Sequence, residues 1–367
     1  MGAKTEGHRG YDYFLLIPTL VLLGLGLVTI YSASSLLAAH RYGDGYYFLK
    51  RQGVFCLLGL VLMILAKNIP PVFYRKTVYP LLGFSLVLLL LLFVPGFGVN
   101  VGGATRWLSL GVFAFQPSEL VKLVLAFFMA YSMSKKGHEM ARFTKGLLPH
   151  VAIAGLFMGL ILIQPDLGTF IIIGAWLMIL LFVGGVRIHH VLSLVLLSAP
   201  LLWWLIMHKG YRWNRWKAFL NPWEYPLDLG YQIIHSLLAI GSGGIFGVGL
   251  GNSKQKLFYL PEPHTDFILP IVAEELGLLG ITFVVALFSI LIVRGIKIAL
   301  TAGDLYSSYL AVGITSLLGL QAVINMGVVM GLLPTKGLTL PFMSYGGSSL
   351  VISLIGMGVL MSISARR

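Results

Sequence analysis

The sequence predicts an all-α, polytopic integral membrane protein with about ten transmembrane helices and a large extracytoplasmic loop between spans seven and eight. Three observations predict it. Of 367 residues, 57% are hydrophobic and only 11% carry charge, and the mean hydropathy is +0.90. Apolar runs of roughly 17 residues or more recur along the whole chain, about the length a helix needs to cross the hydrocarbon core. The polar stretches between them are short except for one, of about 60 residues, after His208.

In chain order the spans are expected near residues 13–33, 53–66, 78–94, 118–133, 147–163, 168–183, 191–207, 267–293, 309–330 and 344–362. The first run ends without a small-residue cleavage site, so it reads as a retained span rather than a signal peptide. Spans two and four are short and must draw on their flanks to cross. Span ten opens on Gly346, Gly347 and serines, which loosens its start. Nothing marks a second, soluble unit, so residues 1–367 read as a single membrane domain.

The net charge of +13 would suggest nucleic acid in a soluble chain. Here it fits cytoplasmic loops under the positive-inside bias, together with attraction to anionic membrane lipid, and no nucleic-acid partner is expected. With both termini cytoplasmic, the short inner segments hold Lys4, Arg9, Lys67, Arg75, Lys76, Lys135, Lys136, Arg142, Lys145, Arg187, Arg294, Lys297, Arg366 and Arg367. The short outer loops hold only Arg41, Lys50, Arg51, Arg106 and Lys336. Cys56 is the one cysteine, which excludes an intramolecular disulfide, and the scattered histidines have no metal-ligand spacing.

Four irregular segments fall on the outer face: residues 95–117, 164–168, 208–266 and 331–347. Backbone of this kind survives near membrane depth only when buried in protein or lining a wet cavity, so the four together describe one polar vestibule. The third runs into span eight, where Asp266, Glu274 and Glu275 lie close together. Carboxylates are expensive there, so chemistry is the first role to consider. Asp266 follows Thr265, a capping residue type, and an acid in a first helical turn is favoured by the macrodipole. Pro270, however, offers no N–H to the Asp266 carbonyl, an awkward setting for a plain cap. Glu274, about two turns on, is the better placed of the two glutamates to share a cavity with Asp266, or else it pairs with a base between helices.

Other residues admit two readings each. Glu119 and Lys122, three apart behind Pro117, form either a structural ion pair or an anion contact. Arg106 and Trp107 sit beside Gly102 and Gly103; the arginine suits phosphate, and the tryptophan suits an interfacial anchor or a sugar face. In YRWNRWKAFLNPWEYP, residues 211–226, basic residues alternate with aromatics. The segment is expected in the headgroup plane, with Trp213, Trp216 and Phe219 inward and Arg212, Arg215 and Lys217 towards phosphates. Lys336, between Pro334 and Gly337, presents a point charge on unwound backbone. GSGGIFGVGLG lacks the GK[ST] and the strand-to-helix context of a phosphate loop.

The segments GATRWLSLG, QPSELVK, QPDLG, the long run from GYQ to AEELG, and GLLPTKGLTLPFMSYGGSS together resemble the SEDS family (shape, elongation, division and sporulation), in the family's order and across nearly the whole chain. GNSKQK and LPTKGLTLPFMSYGGSS are most similar to its FtsW and SpoVE branch. The resemblance implies a peptidoglycan glycosyltransferase of the bacterial cytoplasmic membrane that polymerises lipid II on the outer face during cell division. It also implies lipid II and the growing glycan strand as ligands, and a class B penicillin-binding transpeptidase and other divisome proteins as partners. The family's essential outer-loop aspartate matches Asp266, and its loop tryptophan matches Trp107. Such chemistry needs a general base, for which Asp266 is the candidate, and cations for a leaving pyrophosphate, supplied from Arg106, Lys122, Arg212, Arg215 and Lys336. Glu119, Trp107 and Glu274 complete the expected substrate-binding set. No cofactor is required; a divalent cation such as Mg²⁺ is one further way to neutralise the pyrophosphate. A lipid II flippase, or the elongation or sporulation paralogue, is the alternative.

Overall fold

The structure is a computed structural model and describes residues 10–101, 103–111 and 113–366; Lys4, Arg9, Gly102 and Arg367 lie outside the described residues. The membrane-crossing elements fall where the apolar runs place them. They are α1 (Tyr13–Tyr42), α2 (Tyr47–Asn68), α4 (Val78–Leu91, after the short α3, Pro71–Lys76), α5 (Pro117–Lys136), α6 (Leu148–Ile163), α7 (Leu167–Val183) and α8 (Ile188–Met207). After the long loop come α11 (Ile268–Leu300), α12 (Leu305–Val329) and α13 (Gly347–Ser364). Among the described residues, seven helices are long and apolar enough to span a membrane, α6 being counted with the π-helical turn before it as Phe143–Ile163. Of the others, α4 and α7 are apolar but only 14 and 17 residues long, and α5 spends much of its surface on buried contacts, with Glu119 and Lys122 inside.

Burial ranks the helices by position. In its most apolar stretch α13 is 83% buried, against 11% for α8. The first is the axis of the bundle, and the second is a peripheral wall. The central place of α13 follows from its small residues: a Cβ on Gly358 would collide with the backbone of Met63 on α2, so these two helices approach to backbone contact. Across the bundle Trp176 of α7 donates its ring N–H to the Gly313 carbonyl of α12 at 2.8 Å. At the end opposite the long loop, Asp12 pairs with Arg294 at 2.9 Å and accepts from Ser364 at 2.6 Å, tying α1, α11 and α13 together.

Two of the irregular segments hold regular structure that the sequence did not announce. Residues 95–117 contain a three-stranded antiparallel sheet, β1 (Gly98–Val101), β2 (Ala104–Leu110) and β3 (Phe113–Phe115), in the order β1-β2-β3. The loop after α8 contains α9 (Gly210–Leu220) and α10 (Tyr231–Ser242). One residue of α9 departs from the expected orientation. Arg212 is buried and donates to the Leu205 carbonyl at 3.0 Å, while Tyr211 and Leu220 are exposed. The guanidinium turns inward because the turn between α8 and α9 offers it a free carbonyl at the end of a helix, where a cation is favoured.

Helix α11 breaks at Gly277, whose φ of 66° and ψ of −162° are not helical. The groups freed by the break are taken up by the glycine-rich segment: Val248 and Gly249 donate to the carbonyls of Glu274 and Glu275 at 2.9 and 3.1 Å, and Leu278 and Leu279 donate to Gly244 and Ile245 at 2.9 and 3.2 Å. A Cβ on Gly277 would strike the backbone of Gly247 and Ile245. The GSGGIFGVG run is thus the backbone partner of a broken membrane helix, which is why it is rich in glycine.

Candidate functional site

The four irregular segments converge. Arg106 of β2 donates to the carbonyls of Gln164 and Pro165 at 3.3 and 2.5 Å, and Arg215 of α9 reaches the Thr335 carbonyl at 3.4 Å. Around them lies a cavity of about 1080 Å³ with two unlike walls. One is apolar, made by Ala199, Leu202, Trp203 and Ile206 of α8. The other carries Arg106, Lys209, Arg212, Arg215 and Lys336, with Asp166 the one acid among the lining residues. Asp166 is itself engaged, capping α7 through Thr169 N and Oγ1 at 3.0 and 2.9 Å. The cationic wall is therefore largely uncompensated, an arrangement suited to an anionic head group on an apolar tail.

Asp266 is not itself among the lining residues; it stands beside them, directly before α11 and next to the lining residue Gly337. Its Oδ2 is the atom nearest the position a Cβ on Gly337 would take, at 3.3 Å, so the carboxylate lies against the strap that carries Lys336. Its side chain accepts no hydrogen bond among the described residues. Burial pushes the Asp266 carboxyl up to about 7; Glu262 adds to this, and Arg215 and Arg106 oppose it. Burial likewise draws the Lys336 ammonium down to about 8. Desolvation is the main cause in both.

Of the other expected site residues, Arg106, Arg212, Arg215 and Lys336 line the cavity. Trp107 does not: it is half-buried on β2, paired across the sheet with Val99. Glu119 and Lys122 form a buried ion pair at 2.8 Å, away from the cavity lining. Glu274 faces the loop rather than Asp266, accepting from Lys254 N at 2.9 Å, Gln255 N at 3.3 Å and the Ser253 hydroxyl. Glu275 is held by Ser32 of α1 at 2.5 Å and by Lys256 at 3.2 Å. Among the described residues no three His, Cys, Asp or Glu are grouped to hold a metal ion.

Sequence reading missed Lys209, the α8 wall and Asn325. Asn325, on α12, is buried and donates from Nδ2 to the carbonyls of Asp266 and Leu338 at 3.0 and 2.6 Å. An asparagine in an apolar helix was the available signal.

The family model for FtsW/RodA/SpoVE cell cycle proteins matches residues 13–367. The chain belongs to that family. Relatives include a probable peptidoglycan glycosyltransferase FtsW of Geobacter metallireducens, 47% identical over 97% of this chain and 95% of the relative. The stage V sporulation protein E of Bacillus subtilis is 44% identical over 96% of both. Among solved structures, a chain from a peptidoglycan synthase complex that coordinates polymerization and crosslinking superposes with a TM-score of 0.80 at 32% identity, covering 96% of this chain and 97% of that one. The rod shape determining protein RodA of Thermus thermophilus gives 0.71 at 31% identity, covering 96% of both. The FtsW/RodA/SpoVE fold thus extends over the whole described bundle, cavity included.

Proposed function

We infer that the chain is a peptidoglycan glycosyltransferase of the FtsW type that polymerises lipid II on the outer face of the cytoplasmic membrane, its termini cytoplasmic and its working place the division site. One observation carries the mechanism: an unpaired carboxylate, Asp266, stands beside the lining of a cationic cavity whose far wall is a lipid-facing helix.

The tail of a polyprenyl pyrophosphate sugar lies along the Leu202–Trp203–Ile206 wall, and its pyrophosphate meets Arg106, Arg212, Arg215 and Lys336. Asp266 takes the proton from the acceptor sugar hydroxyl. That oxygen bonds to the donor's anomeric carbon as the bond from carbon to pyrophosphate oxygen breaks, with inversion. The electron pair leaves with the pyrophosphate, onto which the cations are already directed. A good leaving group removes the need for a second carboxylate as acid, unlike the paired carboxylates of glycosidases. A carboxyl with a pKa of about 7 is matched to this task near neutral pH. The mechanism makes no step depend on a divalent ion. A transpeptidase of the class B penicillin-binding type is the expected partner, in keeping with the synthase complex that the fold resembles.

The test is polymerisation by the purified protein and its partner on lipid II in detergent, where no sealed bilayer exists. Glycan strands are expected. No polymer there, with transfer of lipid II across sealed vesicles, would replace this reading by a flippase.

A further inference from the structure

We propose that Asn325 is a positioning residue, clamping the Asp266 backbone and the Lys336–Leu338 strap together so that the carboxylate faces the cavity at a fixed place. The inference rests on the reading of Asp266 as general base.

The geometry is specific. Asp266 precedes α11, and Gly337 belongs to a strap that follows α12; the main chain ties the two segments at Tyr345 N and the His264 carbonyl, 2.9 Å apart, and at Asp266 itself a side chain does so. The Asn325 amide does so with a single nitrogen, which donates both to the carbonyl of Asp266 itself and to that of Leu338, one residue beyond Gly337. The Asp266 Oδ2 then rests against Gly337. Turning the amide over would set an oxygen against two carbonyl oxygens, so its orientation is forced.

A second observation argues that this is not simply packing. Asn325 is 2% exposed, and its Oδ1 has no hydrogen-bond partner among the described residues. A buried acceptor left bare is destabilising, whereas a leucine there would match the rest of α12. The amide is kept for what its nitrogen does. The charged groups facing the carboxylate are Glu262 on its own segment, Arg215 on α9 and Arg106 on β2, with Lys336 next along the strap. Without the clamp the carboxylate is free to leave this surrounding for water, and misplacement by about 1 Å can cost about 10²-fold in rate.

The experiment uses the full chain with its transpeptidase partner, lipid II as substrate, and rates per folded molecule. Asn325→Leu should lower kcat by about 10²-fold with KM within about twofold, and shift the acid limb of the pH profile down by about one unit as the carboxyl is rehydrated. Asn325→Asp, of the same shape but able to donate at most one hydrogen, guards against misfolding and should show the same split between kcat and KM. A purely structural role would reduce the amount of folded protein and leave the acid limb in place. Wild-type kcat and acid limb in either variant, with Asp266→Asn inactive, would overturn the clamp and leave the base standing. An active Asp266→Asn would remove the base, and the clamp with it.

Discussion

Within ten residues the chain places three carboxylates that look alike in sequence and have unlike surroundings. Glu274 and Glu275 are engaged: two backbone N–H groups and a serine hydroxyl hold the first, a serine and a buried lysine the second. They staple the 243–256 loop to the broken helix and to α1. Among the described residues Asp266 has no donor to its carboxylate and is held through its backbone. A carboxylate held by several donors is structure; one that burial keeps short of donors and ready for a proton is available for chemistry.

The most forceful way to break this contrast is Asp266→Asn. The amide keeps the shape and removes the base, so polymerisation of lipid II should fall by about 10²–10⁴-fold at normal membrane level. Melting should be no lower than wild type above pH 7. The carboxyl's folded pKa is raised, so its ionised form is a burden to the fold that grows as pH rises from the ordinary carboxylate range and is complete above about 7; asparagine lacks it. An equally active variant would move the base elsewhere.

The same raised pKa gives the next effect. Only the ionised carboxylate can accept a proton, so the rate should decline as pH falls through about 7, approaching about tenfold per unit below it. A profile flat down to the ordinary carboxylate range, near pH 4, would mean that the carboxylate is hydrated when substrate is bound.

Lys336 extends the contrast to cations. Lys122 is neutralised by Glu119 at 2.8 Å, whereas Lys336 lines the cavity. Lys336→Ala should lower kcat/KM for lipid II by about tenfold, the scale of one charged contact. In wild type, binding should weaken as pH rises through about 8, where the buried ammonium deprotonates. An unchanged kcat/KM would reduce this lysine to an interfacial anchor.

What could be read beforehand follows the range of the interactions. The helices were legible because lipid enforces apolar runs of fixed length. The vestibule was legible because four polar, glycine- and proline-rich segments cannot face lipid. Asp266 was marked by Pro270 and by resemblance. The sheet of residues 98–115 was hidden by the shortness of its strands, three to seven residues each. The inward turn of Arg212 depends on a carbonyl seven residues back across a helix end. Asn325 shows only as an asparagine in an apolar helix; what it holds is hidden, since its two acceptors lie 59 and 13 residues away.

Glu274→Gln sharpens the comparison from the other side, with the smallest effect on chemistry. Glutamine keeps the length of the side chain, but its NH₂ must face donors, since both glutamate oxygens accept: one from Lys254 N, the other from Gln255 N and the Ser253 hydroxyl. At least one hydrogen bond to a charged group is lost, and a donor is left against a donor, at a cost of about 2 kcal/mol. The measurable outcome should be a lower melting temperature and faster proteolysis of the 243–256 loop. Lipid II turnover per folded molecule should stay within about twofold, because no atom of Glu274 borders the cavity. A loss comparable with that of Asp266→Asn, in protein that melts normally, would mean that the staple itself opens during turnover and that Glu274 becomes a free carboxylate then.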